Sequence, residues 1–368
     1  MVHEHCFSQE NSMSLQAYLR HHLGRSAFCL IITLALTVVS AAQKYVQTNL
    51  VSDVPGLAKV TDPNLVNAWG IDFSSGSPVW IADNGTGLST LYTGTGSIVP
   101  LVVTIPSGSD SPSAPTGLVF NGTGEFSVKA HDLSGSAIFI FDSEDGIISG
   151  WNPTVDLHHA IIAVNNSEKE AIYKGLAIGT NNNGSFIYAT NFHSGWVEMY
   201  DSNFKWVKNF TDTDLPKGYA PFGARVLNGK LYVTFALQDE DAEDDVAGPG
   251  HGFVDIFDLE GNKLKRLISH GELNSPWGLA IAPANFGKFS GNLLVGNFGN
   301  GHINAYDPWT GGARGHMLRP NGRTLEIDGL WGLHFGNDAA AGPSTTLLFT
   351  AGPDDESHGL FGSLTVPK

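Results

Sequence analysis

Ser275-Pro276-Trp277-Gly278-Leu279 is one copy of the phrase that decides the fold. It runs small residue or proline, bulky residue, glycine, apolar residue. Five more copies follow the same plan: Asn67-Ala68-Trp69-Gly70-Ile71, Ala114-Pro115-Thr116-Gly117-Leu118, Ile172-Tyr173-Lys174-Gly175-Leu176, Ala220-Pro221-Phe222-Gly223-Ala224 and Gly329-Leu330-Trp331-Gly332-Leu333. The glycines are spaced by 47, 58, 48, 55 and 54 residues. A period of this size is the signature of a propeller or a similar array.

Strand-like segments follow each phrase. Val79 to Ala82, Phe186 to Thr190, Leu231 to Phe235, Leu293 to Asn297 and Leu347 to Ala351 read as second strands. Third strands end in an aromatic-Asp pair: Phe141-Asp142, Tyr200-Asp201, Phe257-Asp258 and Tyr306-Asp307. The aromatic is expected to pack between blades and the Asp to cap a hairpin turn. Weaker outer strands, such as Leu264 to Ile268, complete four strands per unit. The predicted fold is an all-β, six-bladed β-propeller with four-stranded blades. A closed ring leaves no sheet edge exposed. The last unit runs out after a third strand at Gly359 to Leu364, so the segment Tyr45 to Val51 is expected to supply the outer strand of the last blade. A seven-bladed ring is the main alternative, and it lacks a seventh phrase.

The first residues belong to a different regime. Arg20, His21, His22 and Arg25 precede an apolar run from Ala27 to Val39 and the small residues Ser40-Ala41-Ala42. This reads as a signal peptide over residues 1–42, with Met13 as an alternative start and a secreted mature domain over 43–368. The run is short for a membrane span, which needs about 20 apolar residues. Cys6 and Cys29 are the only cysteines, and both lie in the leader. The mature chain therefore has no disulfide, thiolate nucleophile or Cys-ligated zinc, and its stability rests on its core. The net charge of −16 repels nucleic acid and anionic membranes and is compatible with cations, neutral sugars or basic partners. A monomer is expected. Sequons at Asn84, Asn121, Asn165, Asn183 and Asn209 make a glycoprotein the expectation.

Several longer stretches carry a family likeness: Asp244-Asp245-Val246-Ala247-Gly248-Pro249-Gly250-His251-Gly252-Phe253-Val254-Asp255, Leu294-Val295-Gly296-Asn297-Phe298-Gly299, and Ala351-Gly352-Pro353-Asp354-Asp355-Glu356-Ser357-His358-Gly359-Leu360-Phe361-Gly362. With the phrases they resemble an uncharacterised family of exported, NHL-like propellers found in bacteria, some with PEP-CTERM tails, and in fungi and plants. The resemblance spans roughly Tyr45 to Leu364. It implies the fold and export, and no particular reaction. This chain ends at Lys368 with no apolar sorting tail, so the anchoring of bacterial members does not carry over.

In a propeller, the loops joining second to third strands and the loops entering first strands emerge on one face. Trp69, Trp277 and Trp331 should crowd the axis there, as packing and, secondarily, as stacking surfaces for a sugar or a cation. The second-to-third-strand loops carry His193, His251, His302 and His358, which could converge on a divalent metal. Asp83, Asn84, Asn297 and Asp354 add oxygen donors that suit calcium. The run Asp239-Glu240-Asp241-Ala242-Glu243-Asp244-Asp245 should overhang the same face, as a solvated charge run or a calcium site. No GxSxG elbow or phosphate-binding loop is present. Two functions follow. One is a secreted module that binds a small molecule, glycan or protein on the funnel face. The other is a metal-dependent hydrolase of lactonase or esterase type, with a carbonyl polarised by the metal.

Overall fold

The computed structural model describes residues 44–109 and 111–367. The expected signal peptide, its expected cleavage point and both cysteines lie outside these residues. The chain folds as an all-β, six-bladed β-propeller with four-stranded blades. From the axis outward, blade 1 is Ala68–Asp72, Val79–Asp83, Leu88–Tyr92 and Ile98–Thr104. Blade 2 is Pro115–Phe120, Phe139–Ser143, Ile147–Trp151 and Ile161–Asn165. Blade 3 is Tyr173–Asn181, Gly184–Asn191, Trp196–Asp201 and Trp206–Phe210. Blade 4 is Tyr219–Leu227, Lys230–Leu237, Phe253–Phe257 and Lys263–Ser269. Blade 5 is Pro276–Ile281, Leu293–Asn297, Ile303–Tyr306 and Ala313–His316. Blade 6 is Leu330–Phe335, Leu347–Ala351, Leu360–Thr365 and, from the start of the described chain, Val46–Ser52.

The expected closure is therefore present. Val46–Ser52 pairs antiparallel with Leu360–Thr365, from Val46 opposite Thr365 to Ser52 opposite Leu360. A short fifth strand, Val60–Thr61, then covers the outer edge in parallel.

The repeated glycines explain the ring. A Cβ on Gly70 would stand 2.5 Å from Thr116 O of blade 2, and one on Gly117 would stand 2.3 Å from Leu176 N of blade 3. Gly175 faces Phe222 O, Gly223 faces Trp277 O, Gly278 faces Trp331 O, and Gly332 returns to Trp69 O. Each first strand thus lies against the next, backbone to backbone, where only glycine fits. Threonines stitch the same joints: Thr116 Oγ1 donates to Tyr173 O at 2.8 Å and Thr190 Oγ1 to Phe222 O at 2.7 Å. Away from the axis, six apolar clusters fill the wedges between blades, with a seventh on the axis.

Blade 2 corrects one expectation. Phe139–Ser143 is its second strand, because a hairpin of Ser127–Ala130 and Leu133–Ser136 is inserted after the first strand. Asp142 therefore caps no hairpin. It accepts from Gly117 N at 2.7 Å and lies 3.0 Å from Thr116 Oγ1, inside the ring. The other three Asp residues behave as expected: Asp201, Asp258 and Asp307 each accept two backbone N–H groups of their turn. Among the described residues, no helix is long and apolar enough to cross a membrane.

Candidate functional site

Of the residues before the phrase glycines, five meet on the axis, and Thr116 bonds within the joint of blades 2 and 3. Blade by blade these residues are Trp69, Thr116, Lys174, Phe222, Trp277 and Trp331. Bulges at the phrases in all six blades re-aim them, as between Ala68 and Ile71 in blade 1. The three tryptophans meet as expected. Trp69 stacks on Trp331 at 3.5 Å between centroids, and Trp277 meets both edge-on. Phe298 stacks on Trp331 at 4.0 Å. Trp69 and Trp331 are buried, however, so they form an aromatic plug rather than an open stacking surface.

Lys174 is the single charged member of this axial ring. Its side chain is 2% exposed. Its ammonium binds the Glu144 carboxylate and Asp244 Oδ1, the latter at 2.9 Å. It lies 5.5 Å from the centroid of a Trp69 ring and 6.0 Å from that of Phe192. Burial opposes the charge, but Glu144 and Asp244 outweigh it and raise the lysine above its ordinary value. Lys174 is thus held protonated and is no nucleophile.

Around this pair the funnel-face loops of four blades interlock. Asn84 Nδ2 donates to Glu144 Oε2 at 2.8 Å, and Asn67 Nδ2 donates to Asn84 Oδ1 at 3.1 Å and Glu356 Oε1 at 3.3 Å. Trp331 Nε1 donates to Asn67 Oδ1, and Trp277 Nε1 to Lys174 O at 2.7 Å. Burial, with Glu144 nearby, pushes the Glu356 carboxyl up to about 7. Burial likewise pushes Asp245 up to about 6.

A cleft of 590 Å³ opens beside Lys174, lined by Glu144, Asp145, Glu170, Lys174, His193, Glu243 and Asp244 among others. His193 Nδ1 is buried without a partner. Five carboxylates thus face one lysine that is already paired. A smaller space of 230 Å³ runs down the channel below the plug. Its polar groups answer one another: Arg225 Nη1 donates to Leu333 O at 2.6 Å, and Asp72 Oδ1 lies 3.1 Å from His334 Nε2.

The proposed ring of metal-binding histidines does not assemble. Among the described residues, no three of His, Cys, Asp and Glu are grouped to hold a metal. His251 Nδ1 meets Val246 O at 2.8 Å, and His358 Nδ1 meets Asp53 Oδ2 at 2.7 Å. His302 turns toward His316, and Asp354 is exposed. Asn297 donates to Glu272 O and Asn300 Oδ1. Asp83 is buried between blades 6 and 1. The physical reason is the loops' own geometry: His251 and His358 bond to groups beside them and Asp354 turns outward, while Asp83 and His193 Nδ1 are buried without partners, apart from any third ligand. Of the candidates, Asn84, His193 and the tryptophans belong to the axial assembly.

Sequence reading passed over Lys174, Glu144, Asn67 and Asp145. One signal for Lys174 was available: a lysine at a repeat position otherwise held by Trp, Phe or Thr. Glu144 and Asp145 escaped because the hairpin insertion hid that they form the second-to-third-strand loop of blade 2. The acidic run is only partly solvated, since Asp244 reaches inward to Lys174.

Two sequons change standing. Asn121 is buried, and its Nδ2 donates to Glu125 O and Ala137 O at 2.9 and 2.7 Å. A glycan on that nitrogen would break both bonds. Asn84 is half-buried with its amide on Glu144. Asn165, Asn183 and Asn209 are exposed.

Fold and site together define a six-bladed β-propeller with a charged, aromatic-floored axial assembly. The chain belongs to the same family as two proteins of Acanthamoeba polyphaga mimivirus. It is 33% identical over 326 residues to the uncharacterized protein R648, covering 86% of this chain and 78% of that one. It is 32% identical over 329 residues to the uncharacterized protein L690, covering 86% and 84%. No described family profile matches the chain. Among solved structures, inactive virginiamycin B lyase from Staphylococcus aureus with quinupristin superposes with a TM-score of 0.52 at 13% identity, covering 88% of this chain and 99% of that one. A luciferin-regenerating enzyme gives 0.51 at 14%, covering 82% and 92%. At such identities the likeness is one of fold.

Proposed function

We propose that this is an exported propeller that binds a small cationic ligand, an amine or guanidinium compound, in the acidic cleft of its funnel face. The observation that carries this reading is the charge balance of the cleft. Glu144, Asp145, Glu170, Glu243 and Asp244 line it, against Lys174 alone. Glu144 and Asp244 hold Lys174, Asp145 accepts from Gly108 N and Ser113 Oγ, and Glu170 and Glu243 face solvent. A concave surface of one sign concentrates ligands of the other. Trp69 and Trp331 are buried, so recognition rests on the carboxylates. Export rests on the leader and on the sequons.

Calorimetric titration of the mature protein with 1,4-diaminobutane, glucose and succinate tests the reading. The diamine is expected to bind, with affinity falling as salt rises. Equal binding of glucose or succinate, or no binding of the diamine, would overturn it.

A further inference from the structure

Blades 1, 3 and 5 share a buried polar joint, and blade 1 builds it differently. The ladders put Asp83 of blade 1, Asn191 of blade 3 and Asn297 of blade 5 at the same place, where the second strand meets the funnel face. Thr90, Glu198 and Asn304 take the next place on the third strand, and Tyr92, Tyr200 and Tyr306 the one after. A residue of the preceding linker completes each joint: Asp62, Asn166 and Glu272.

In blade 3 the donors and acceptors balance. Glu198 accepts from Tyr173 and Tyr200 hydroxyls on one oxygen and from Asn191 Nδ2 at 2.8 Å on the other. Asn166 donates to both tyrosines. In blade 5, Asn297 and Asn304 donate to Glu272 O.

Blade 1 has two carboxylates where blade 3 has one. Asp62 accepts from Tyr92 OH at 2.9 Å and from Asn64 N at 3.0 Å. Asp83 is 0% exposed, and neither of its oxygens has a partner. Thr90 stands beside it, 1% exposed, and is the donor nearest that carboxylate, offsetting part of its burial without completing a well-formed hydrogen bond. Burial, with the Asp62 charge adding, pushes Asp83 well above the usual carboxylate range. Two buried carboxylates with no basic partner require either a proton or a cation between them.

We propose that this joint binds a divalent cation of the calcium class, between Asp62 and Asp83, with Thr90 Oγ1 as a further oxygen donor. The donor set is all oxygen, which favours hard cations over zinc or copper. Asp62 lies in a turn beside exposed Pro63 and half-exposed Asn64, so the cation enters from the surface. The site is separate from the acidic cleft and does not depend on ligand binding there.

The test is titration of chelator-treated mature protein with calcium chloride, followed by calorimetry and thermal melting. Uptake of one calcium per chain is expected, with Tm rising by several degrees. Asp83→Asn installs the amide that blades 3 and 5 carry. It is expected to weaken calcium affinity by at least about tenfold and to raise Tm in calcium-free buffer. Thr90→Val should weaken affinity less. Absence of uptake by the wild type, or uptake unchanged in Asp83→Asn, would overturn the site. So would a stabilised Asp83→Asn beside a wild type indifferent to calcium, because the pair would then share a proton.

Discussion

Lys174 Nζ lies 2.9 Å from Asp244 Oδ1, and the two residues come from opposite environments. The lysine is 2% exposed, and the aspartate, from the long acidic loop of blade 4, is 75% exposed. The loop is anchored to the axis through this contact, while Glu144 of blade 2 holds the same ammonium from the other side. Neutralising the two ends should therefore have unequal effects. Lys174→Met leaves Glu144 partly buried without its cation and should cost about 3–5 kcal/mol. Asp244→Asn, at a solvated end, should cost about 1 kcal/mol or less. Urea unfolding of both variants checks the ratio.

Glu356 makes the axial assembly sensitive to pH. Its folded value is about 7 against an ordinary 4.5, because burial favours the protonated form. The folded state therefore holds a proton that the unfolded state has lost across that interval. Stability falls as pH rises from about 4.5 to 7 and is level above it, as far as this group is concerned. Asp245, raised to about 6 by burial, acts in the same direction over a narrower window. Glu356→Gln should flatten the pH dependence of Tm in this range and leave the variant more stable than wild type at pH 8.

The ring makes a prediction with a built-in control. Gly117→Ala would set a Cβ 2.3 Å from Leu176 N and force blades 2 and 3 apart, at about 1–3 kcal/mol or more. Gly76→Ala meets nothing within 4 Å and needs no positive φ, so it should be neutral or slightly stabilising. Thermal melting of the pair measures the difference.

The sequence revealed the ring more fully than the site, for a physical reason. A backbone approach as close as Gly117 to Leu176 admits one residue type, so it recurs in every blade and can be read by eye. Closure by Val46–Ser52 followed from counting strands. The axial assembly offers no such repetition. Lys174, Glu144, Asn67 and Glu356 each occur once, from four different blades, and only the ring brings them together. The histidines shared a loop position, but position does not fix direction: His251 folds back on its own loop, and His358 turns to Asp53.

Glycan occupancy follows from exposure. In a secretory host, Asn165, Asn183 and Asn209 should carry glycans and Asn121 should not, since its amide is committed inside blade 2. Glycopeptide mass spectrometry reads each site separately. A modified Asn121 in folded protein would contradict the geometry of that loop.

The acidic cleft is tested most directly by comparing wild type with the double variant Glu170→Gln, Glu243→Gln. Both residues line the cleft, are exposed, and leave the Lys174 pair intact. Calorimetric titration with 1,4-diaminobutane should give affinity about tenfold weaker in the variant, with a shallower dependence on salt. Equal affinity in the two proteins, or no heat of binding in the wild type, would contradict the cleft as a site for cations.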